Sequence, residues 1–323
     1  MYIAQNVIHS IIASLIVECA IISWKIKAPP IKQWFRILVI FLPVISFPLY
    51  QLISPHRGDP YFRLNSLLDS NRWFFLEIWG GISVLFILIV IILLTSLIFL
   101  LQELIPIIAD VIRKGPESDE NIVIQETDEL TELKLSKAFE GLPLERNAVE
   151  IIEDNDLTLF STTGLSPKIY VSTGLINTFN AEHLNVALAH EIAHIKRSRR
   201  PILIIAYLFR IIMFFNPVAM FEFRRLAQEE ENVCDRMAVM MTGKPNILIE
   251  AVDMLRSSSE GGDSEKSKGL DSIISAVENY SHDIQLINRI EKIKNYNQED
   301  TNGWVIPFCL TATFIVLLNY YIV

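Results

Sequence analysis

Four long apolar blocks divide this chain and constrain its fold more than any other feature: roughly Ile3 to Trp24, Ile37 to Ile53, Gly81 to Leu101, and Val305 to Val323. A helix needs about 20 apolar residues to cross the hydrocarbon of a bilayer, and each block reaches or approaches that length. Across 323 residues the chain is 51% hydrophobic with a mean hydropathy of +0.36, more than a soluble two-domain protein requires. Gln5, Asn6, His9 and Glu18 interrupt the first block. The third runs on into an apolar Leu104 to Ile112, expected to continue along or just below the headgroups. The blocks therefore predict a multi-pass α-helical membrane protein.

The net charge of -9 arises outside these blocks. No Lys/Arg stripe is interleaved with aromatics, so nucleic acid is excluded as an expected partner. Between the first two blocks lie Lys25, Lys27, Lys32 and Arg36 with no acid among them, and Arg113 and Lys114 follow the third. The loop from Pro55 to Phe74 has a weaker bias, three arginines against two aspartates. Because basic residues favour the cytoplasmic side, the N-terminus is expected outside, the large polar region inside, and the C-terminus outside. The three cysteines, Cys19, Cys234 and Cys309, are scattered and imply no disulfide framework. A cytoplasmic Cys234 would stay reduced. The N-terminus lacks a basic segment and a small-residue cleavage site, so no cleavable signal peptide is expected. The expected organisation is three transmembrane helices over 1–112, a cytoplasmic domain over 113–303, and a last transmembrane helix over 304–323.

The cytoplasmic region has α+β patterning. Gly115 to Glu132 is acidic and polar, as a solvated linker would be. Ala148 to Thr163 alternates as a strand does and breaks at Asp154-Asn155-Asp156, which predicts a hairpin. Pro167 introduces a short strand, Ile169 to Ser172. Helical patterns at Asn246 to Leu255 and Ile284 to Ile293 flank a Ser- and Gly-rich loop, Ser257 to Gly269. No internal repeat is present.

The chemistry lies on a segment that begins at Asn180, a good helix N-cap, followed by Glu182 in the first turn. This helix is apolar almost all round and so should be buried. A buried helix does not carry His190, Glu191 and His194 without partners, since unpaired polar groups there cost several kcal/mol. His190 and His194 are four residues apart, leave one helix face, and can reach a single ion at about 2.0–2.1 Å. Glu191 lies one residue round, placed to act on a water rather than on the metal. The alternative is a pair of core histidines satisfied by ordinary hydrogen bonds. A catalytic zinc needs a third protein ligand and an open position. Ile195 to Arg200 offers no His, which excludes the metzincin pattern. The next candidates lie on a predicted helix, Phe221 to Met241. From spacing alone Glu229, Glu230 or Glu231 could serve. Glu231 is preferred because only it has a carboxylate one turn on, Asp235, which could accept the free N–H of a ligand histidine.

Pro201 to Met220 is long and apolar enough to be taken for another span. Yet His194 precedes it and Glu231 follows it, and one crossing would separate them by about 30 Å. Arg210 at its centre and Asn216-Pro217 near its end also argue against a simple span. The segment is expected to be buried or re-entrant within the protease domain. Lys196, Arg197, Arg199, Arg200, Arg224 and Arg225 would then sit at anionic headgroups, with the active site close to the membrane surface.

These pieces resemble the BlaR/MecR antirepressor type of membrane metallopeptidase, metallopeptidase family 56. The resemblance runs from Trp79-Gly80 to the last block. It rests on Pro167-Lys-Ile-Tyr-Val171, His190-Glu191-Ile-Ala-His194, Phe215-Asn216-Pro217 and Glu231-Asn-Val-Cys234-Asp235, with Ile287-Asn-Arg289-Ile290 similar to the family's closing helix. Membrane proteases of the HtpX and CAAX-protease kind share the first motif but usually have Ala where this chain has Cys234. The resemblance implies a gluzincin-like fold with one Zn2+ per chain. It also implies that His190, His194 and Glu231 are the metal ligands, Glu191 the catalytic base, and Asp235 the partner of a ligand histidine. Implied partners are the bilayer and a protein or peptide substrate, such as a transcriptional repressor. The β-lactam sensors of the family continue into an extracellular penicillin-binding domain. Here no Ser-x-x-Lys occurs, so the expectation is a separate sensor protein or a different signal. Substrate backbone is expected to pair with the strand Ile169 to Ser172, taken as an edge, by analogy.

Other residues have simpler readings. His183 lies about two turns before His190, too far to be a ligand. Cys234 reads as a small buried packing residue. Glu18 and Glu77 lie in or near spans without an identifiable partner. Two rival functions remain: a scaffold that keeps the fold without hydrolysis, which has no need for Glu191, and a constitutive quality-control protease.

Overall fold

The structure, a computed structural model, describes residues 2–64, 66, 69–101, 105, 129–144, 148–162, 167–197, 200–261 and 303–322. The expected linker up to residue 128, most of 104–112, the expected loop from residue 262 on and the helix expected at 284–293 lie outside the described residues, whereas Ser257 to Gly261, assigned above to that loop, continue the preceding helix. In chain order the helices are α1 (Tyr2–Ser23), α2 (Pro29–Ile53), the short α3 (Pro60–Leu64) and α4 (Ser70–Phe74), and α5 (Val84–Phe99). They continue with α6 (Glu129–Ala138), α7 (Thr173–Thr178), α8 (Ala181–Arg197), α9 (Arg200–Ile212), α10 (Pro217–Thr242), α11 (Pro245–Gly261) and α12 (Val305–Tyr320). The strands are β1 (Glu77–Trp79), β2 (Ile82–Ser83), β3 (Val149–Ile152), β4 (Leu159–Ser161) and β5 (Ile169–Ser172). Two compact units emerge: residues 1–118, 202–230 and 299–323, and residues 119–201 and 231–298.

In the first unit, α1 and α2 are long and apolar enough to cross a membrane, while α5, Ile202–Ile212 and α12 are shorter apolar helices. At 1.5 Å per residue, the 16 residues of α5 or α12 extend about 24 Å. The second block begins at Pro29 rather than Ile37, because two prolines at the first helical positions preset its dihedrals. Arg36, counted above as a loop charge, is consequently a buried helix residue. Phe35 and Val39 of α2, Val17 of α1 and Ile315 of α12 form one apolar core. Ile40, Ala206, Met213, Ala219 and Leu226 form a second. There Phe41 stacks on Phe209 at 4.3 Å, and Tyr207 of α9 meets Phe223 of α10 at 5.6 Å.

Segment 201–220 thus forms α9, a turn, and the start of α10. Asn216 makes the turn: its side-chain oxygen accepts the Val218 and Ala219 N–H groups at 3.0 and 3.4 Å, and Pro217 opens the next helix. Its amide also donates to Asn6 Oδ1 (3.0 Å) and Ser10 Oγ (2.8 Å) on α1. The other polar residues of the first block are engaged as well. Gln5 and His9 reach the Ile322 carbonyl. Glu18, read above as partnerless, accepts from Arg36 at 3.1 Å and Arg225 at 2.5 Å. Arg36 and Arg225 also bind Glu222, to which Ser14 donates at 3.0 Å.

The second unit holds a three-stranded sheet in the order β3-β5-β4, with β3 parallel and β4 antiparallel to β5. This corrects two expectations. The turn at Asp154-Asn155-Asp156 is not a hairpin, and Ile169–Ser172 is a central strand that has no free edge. The reason lies in the turn's own hydrogen bonds. Asp154 O accepts from Thr173 Oγ1 and the Gly174 N–H, both at 2.8 Å, and Ser172 Oγ donates to Asp156 O at 2.6 Å. The turn therefore wraps the end of β5, which enters between the two strands that the turn connects. Glu129 to Glu132, assigned above to a linker, opens α6. Val149, Ile151, Ile169 and Val171 of the sheet pack with Leu175, Phe179, Leu184, Leu188 and Ile192 into the core of this unit.

Candidate metal centre

The centre is built from α8 and the part of α10 that follows Glu230. Asn180 starts α8, its side chain accepting the His183 N–H at 2.8 Å. Leu184, Val186, Leu188 and Ile192 are wholly buried, which fixes the helix's rotation and turns one face, with His190 and His194, toward α10. The two rings lie 4.8 Å apart, centroid to centroid, inclined at 77°. Their Nε2 atoms are 3.1 Å apart. Glu231 closes the group, with one oxygen 3.4 Å from His190 Nε2 and the other 3.5 Å from His194 Nε2. The three ligand-type atoms all fall within 4.8 Å of one another.

The outer ring nitrogens face α10 as well. His190 Nδ1 lies 3.0 Å from Asp235 Oδ1, and His194 Nδ1 lies 3.3 Å from Cys234 Sγ. Asp235 and Cys234 are both buried. With the ring protons on Nδ1, as a metal ligand requires, both Nε2 lone pairs would meet beside the Glu231 carboxylate. Lone pairs held that close repel unless a cation or proton sits between them, so the donor set fits a metal ion. Electrostatics agree. Burial alone would keep His190 neutral, but Asp235 and Glu231 outweigh it and push the ring up to about 10. The negative field that draws a proton to His190 draws a metal cation equally.

Glu191 is held from the sheet side. Its Oε2 accepts from Ser161 Oγ of β4 at 2.5 Å, and Ser161 is 5% exposed. Sequence reasoning missed Ser161, because nothing in the pattern of β4 relates it to a helix 30 residues on. It read Cys234 as packing alone, whereas the thiol also touches a ligand-type histidine. Glu229 and Glu230 are buried, and Glu230 accepts from Gln33 Nε2 at 2.6 Å. His183 lies apart from the cluster, against Glu250 at 3.2 Å.

No curated protein matches the chain. A protein-family model described as BlaR1 peptidase M56 matches residues 62–247, more than half of the 323, and that span contains His190, Glu191, His194, Glu231 and Asp235. The chain belongs to the BlaR1-type M56 peptidase family.

Proposed function

We propose that this chain is a membrane-embedded zinc metalloendopeptidase that cuts a cytoplasmic or membrane-proximal protein in a signal-dependent regulatory step. The observation that carries the reading is the convergence of His190, His194 and Glu231 within 4.8 Å. Family membership supports peptidase activity in general. The three side chains would hold one Zn2+ per chain, with Asp235 fixing the orientation of His190. A zinc ion in such a site supplies Lewis-acid chemistry, acidifying a water toward neutrality and polarising a carbonyl.

The remaining chemistry belongs to the protein. Glu191 takes a proton from the attacking water and later delivers it to the leaving amine. Ser161 holds one carboxylate oxygen and so leaves the other to carry that proton. Among the described residues the sheet ends at β4, beside Glu191, and a substrate chain added there would place its backbone along the site as an extra strand.

In this reading α1, α2, α5 and α12 cross the bilayer, the N- and C-termini lie outside, and the metal centre faces the cytoplasm. The lysines at 25, 27 and 32 support that orientation. A transcriptional repressor is a suitable substrate, with a separate protein as sensor. Metal analysis of the purified protein, paired with cleavage of an unfolded reporter, tests the core of the proposal. Glu191→Gln should keep about one zinc per chain and lose cleavage by roughly 10²–10⁴-fold. Glu231→Ala should lose both, and stoichiometric zinc in that variant would defeat the ligand assignment.

A further inference from the structure

We infer that the first unit carries a binding site for an anionic phospholipid, formed where the α1–α2 loop meets the start of α12. A cavity of about 480 Å³ opens there, lined by Trp24, Lys25, Lys27, Gly303 and Trp304 among others. Both lysines are exposed, and among the described residues neither has a carboxylate partner and no acid lines the cavity. Trp304 stacks against Trp34, 6.4 Å between centroids and 15° between planes. Tryptophans at this level suit a membrane–water interface, where the ring spans apolar and wet layers.

Two further observations favour a lipid over a small anion. A second, apolar cavity of about 520 Å³ shares Trp24 and runs between α1 and α12, past Leu15, Cys19, Ala20, Leu310 and Phe314. A headgroup on the lysines would therefore have an acyl-chain groove directly beneath it. The backbone of Lys25 points the same way. It closes α1 with φ 50°, the only non-glycine left-handed residue among those described. Its N–H bonds Ile22 O at 3.1 Å and the Ile26 N–H bonds Ile21 O at 2.9 Å, the pattern of a helix end that normally uses glycine. Glycine would be unstrained at this position, so the lysine costs backbone energy there.

The site is independent of proteolysis but rests on the reading that α1, α2 and α12 lie in a bilayer. Native mass spectrometry of the full chain, given equal dioleoyl phosphatidylglycerol and dioleoyl phosphatidylcholine, tests it. At about 1 kcal/mol per lysine, and tenfold per 1.4 kcal/mol, the anionic lipid should be retained roughly 30-fold better. The pair Lys25→Gly and Lys27→Gln should abolish that preference without lowering the melting temperature, since glycine relieves the left-handed position. Equal retention of both lipids, or a preference that survives in the double variant, overturns the site. Displacement by glycerophosphoglycerol, which has no acyl chains, overturns the lipid in favour of a plain anion site. Retention of neither lipid by a carbonate-resistant membrane protein overturns the site alone, whereas a carbonate-soluble protein overturns the membrane reading as well.

Discussion

His190 and His194 each turn Nε2 toward Glu231 and Nδ1 toward a residue three or four positions further along α10, Asp235 for His190 and Cys234 for His194. Removing an outer partner should loosen the inner one. Asp235→Ala is expected to weaken zinc binding by roughly 10–100-fold, read by competition against a chelator, with the fold intact. Ser161→Ala should leave zinc unchanged and lower kcat by roughly tenfold, the size expected when a hydrogen bond to a charged group is lost. Ser161→Thr, which keeps the hydroxyl, should recover most of it. The histidines and Glu191 were legible in the sequence because helix periodicity alone fixes which residues share a face. Glu231 was legible only through its spacing to Asp235. Ser161 was not legible at all, since its role depends on where a strand is placed beside α8.

At the scale of elements, the capped helix α8 and the turn at Asn216 follow from local chemistry: a side-chain cap, a proline, an apolar face. The sheet does not. Whether β3 pairs with β4 or admits β5 between them depends on hydrogen bonds from Ser172, Thr173 and Gly174 back to the Asp154–Asp156 turn, and no local pattern announces them. Gly174 is the critical position. A methyl group added there would sit 2.1 Å from the Asn155 carbonyl oxygen, a backbone atom that cannot swing aside. Gly174→Ala should therefore cost about 1–3 kcal/mol and lower the thermal midpoint of the full-length protein by several degrees.

At the scale of the whole molecule, the polar residues that interrupt the apolar blocks look unpaired in the sequence. Their partners lie about 200 residues away in sequence, which a reading along the chain cannot join. Glu222 is the centre of this network, with its side chain 1% exposed and held by Arg36 at 2.8 Å. Taking away the arginine leaves a buried carboxylate without its main counter-charge. Arg36→Met should thus destabilise by roughly 3–5 kcal/mol, whereas Arg36→Met with Glu222→Leu should cost much less. Thermal unfolding of the two variants in the same detergent separates these outcomes. A single variant as stable as the double would mean that water reaches Glu222.

The strand at the sheet's end is only three residues long, Leu159–Ser161. At about 3.4 Å per residue it can grip roughly 10 Å of a partner's main chain, and main-chain grip is blind to amino-acid identity. A helix or a compact domain offers no such ribbon. Susceptibility to cutting would then follow how readily a target frays at the scissile stretch, so a tightly folded protein would survive until something loosened it.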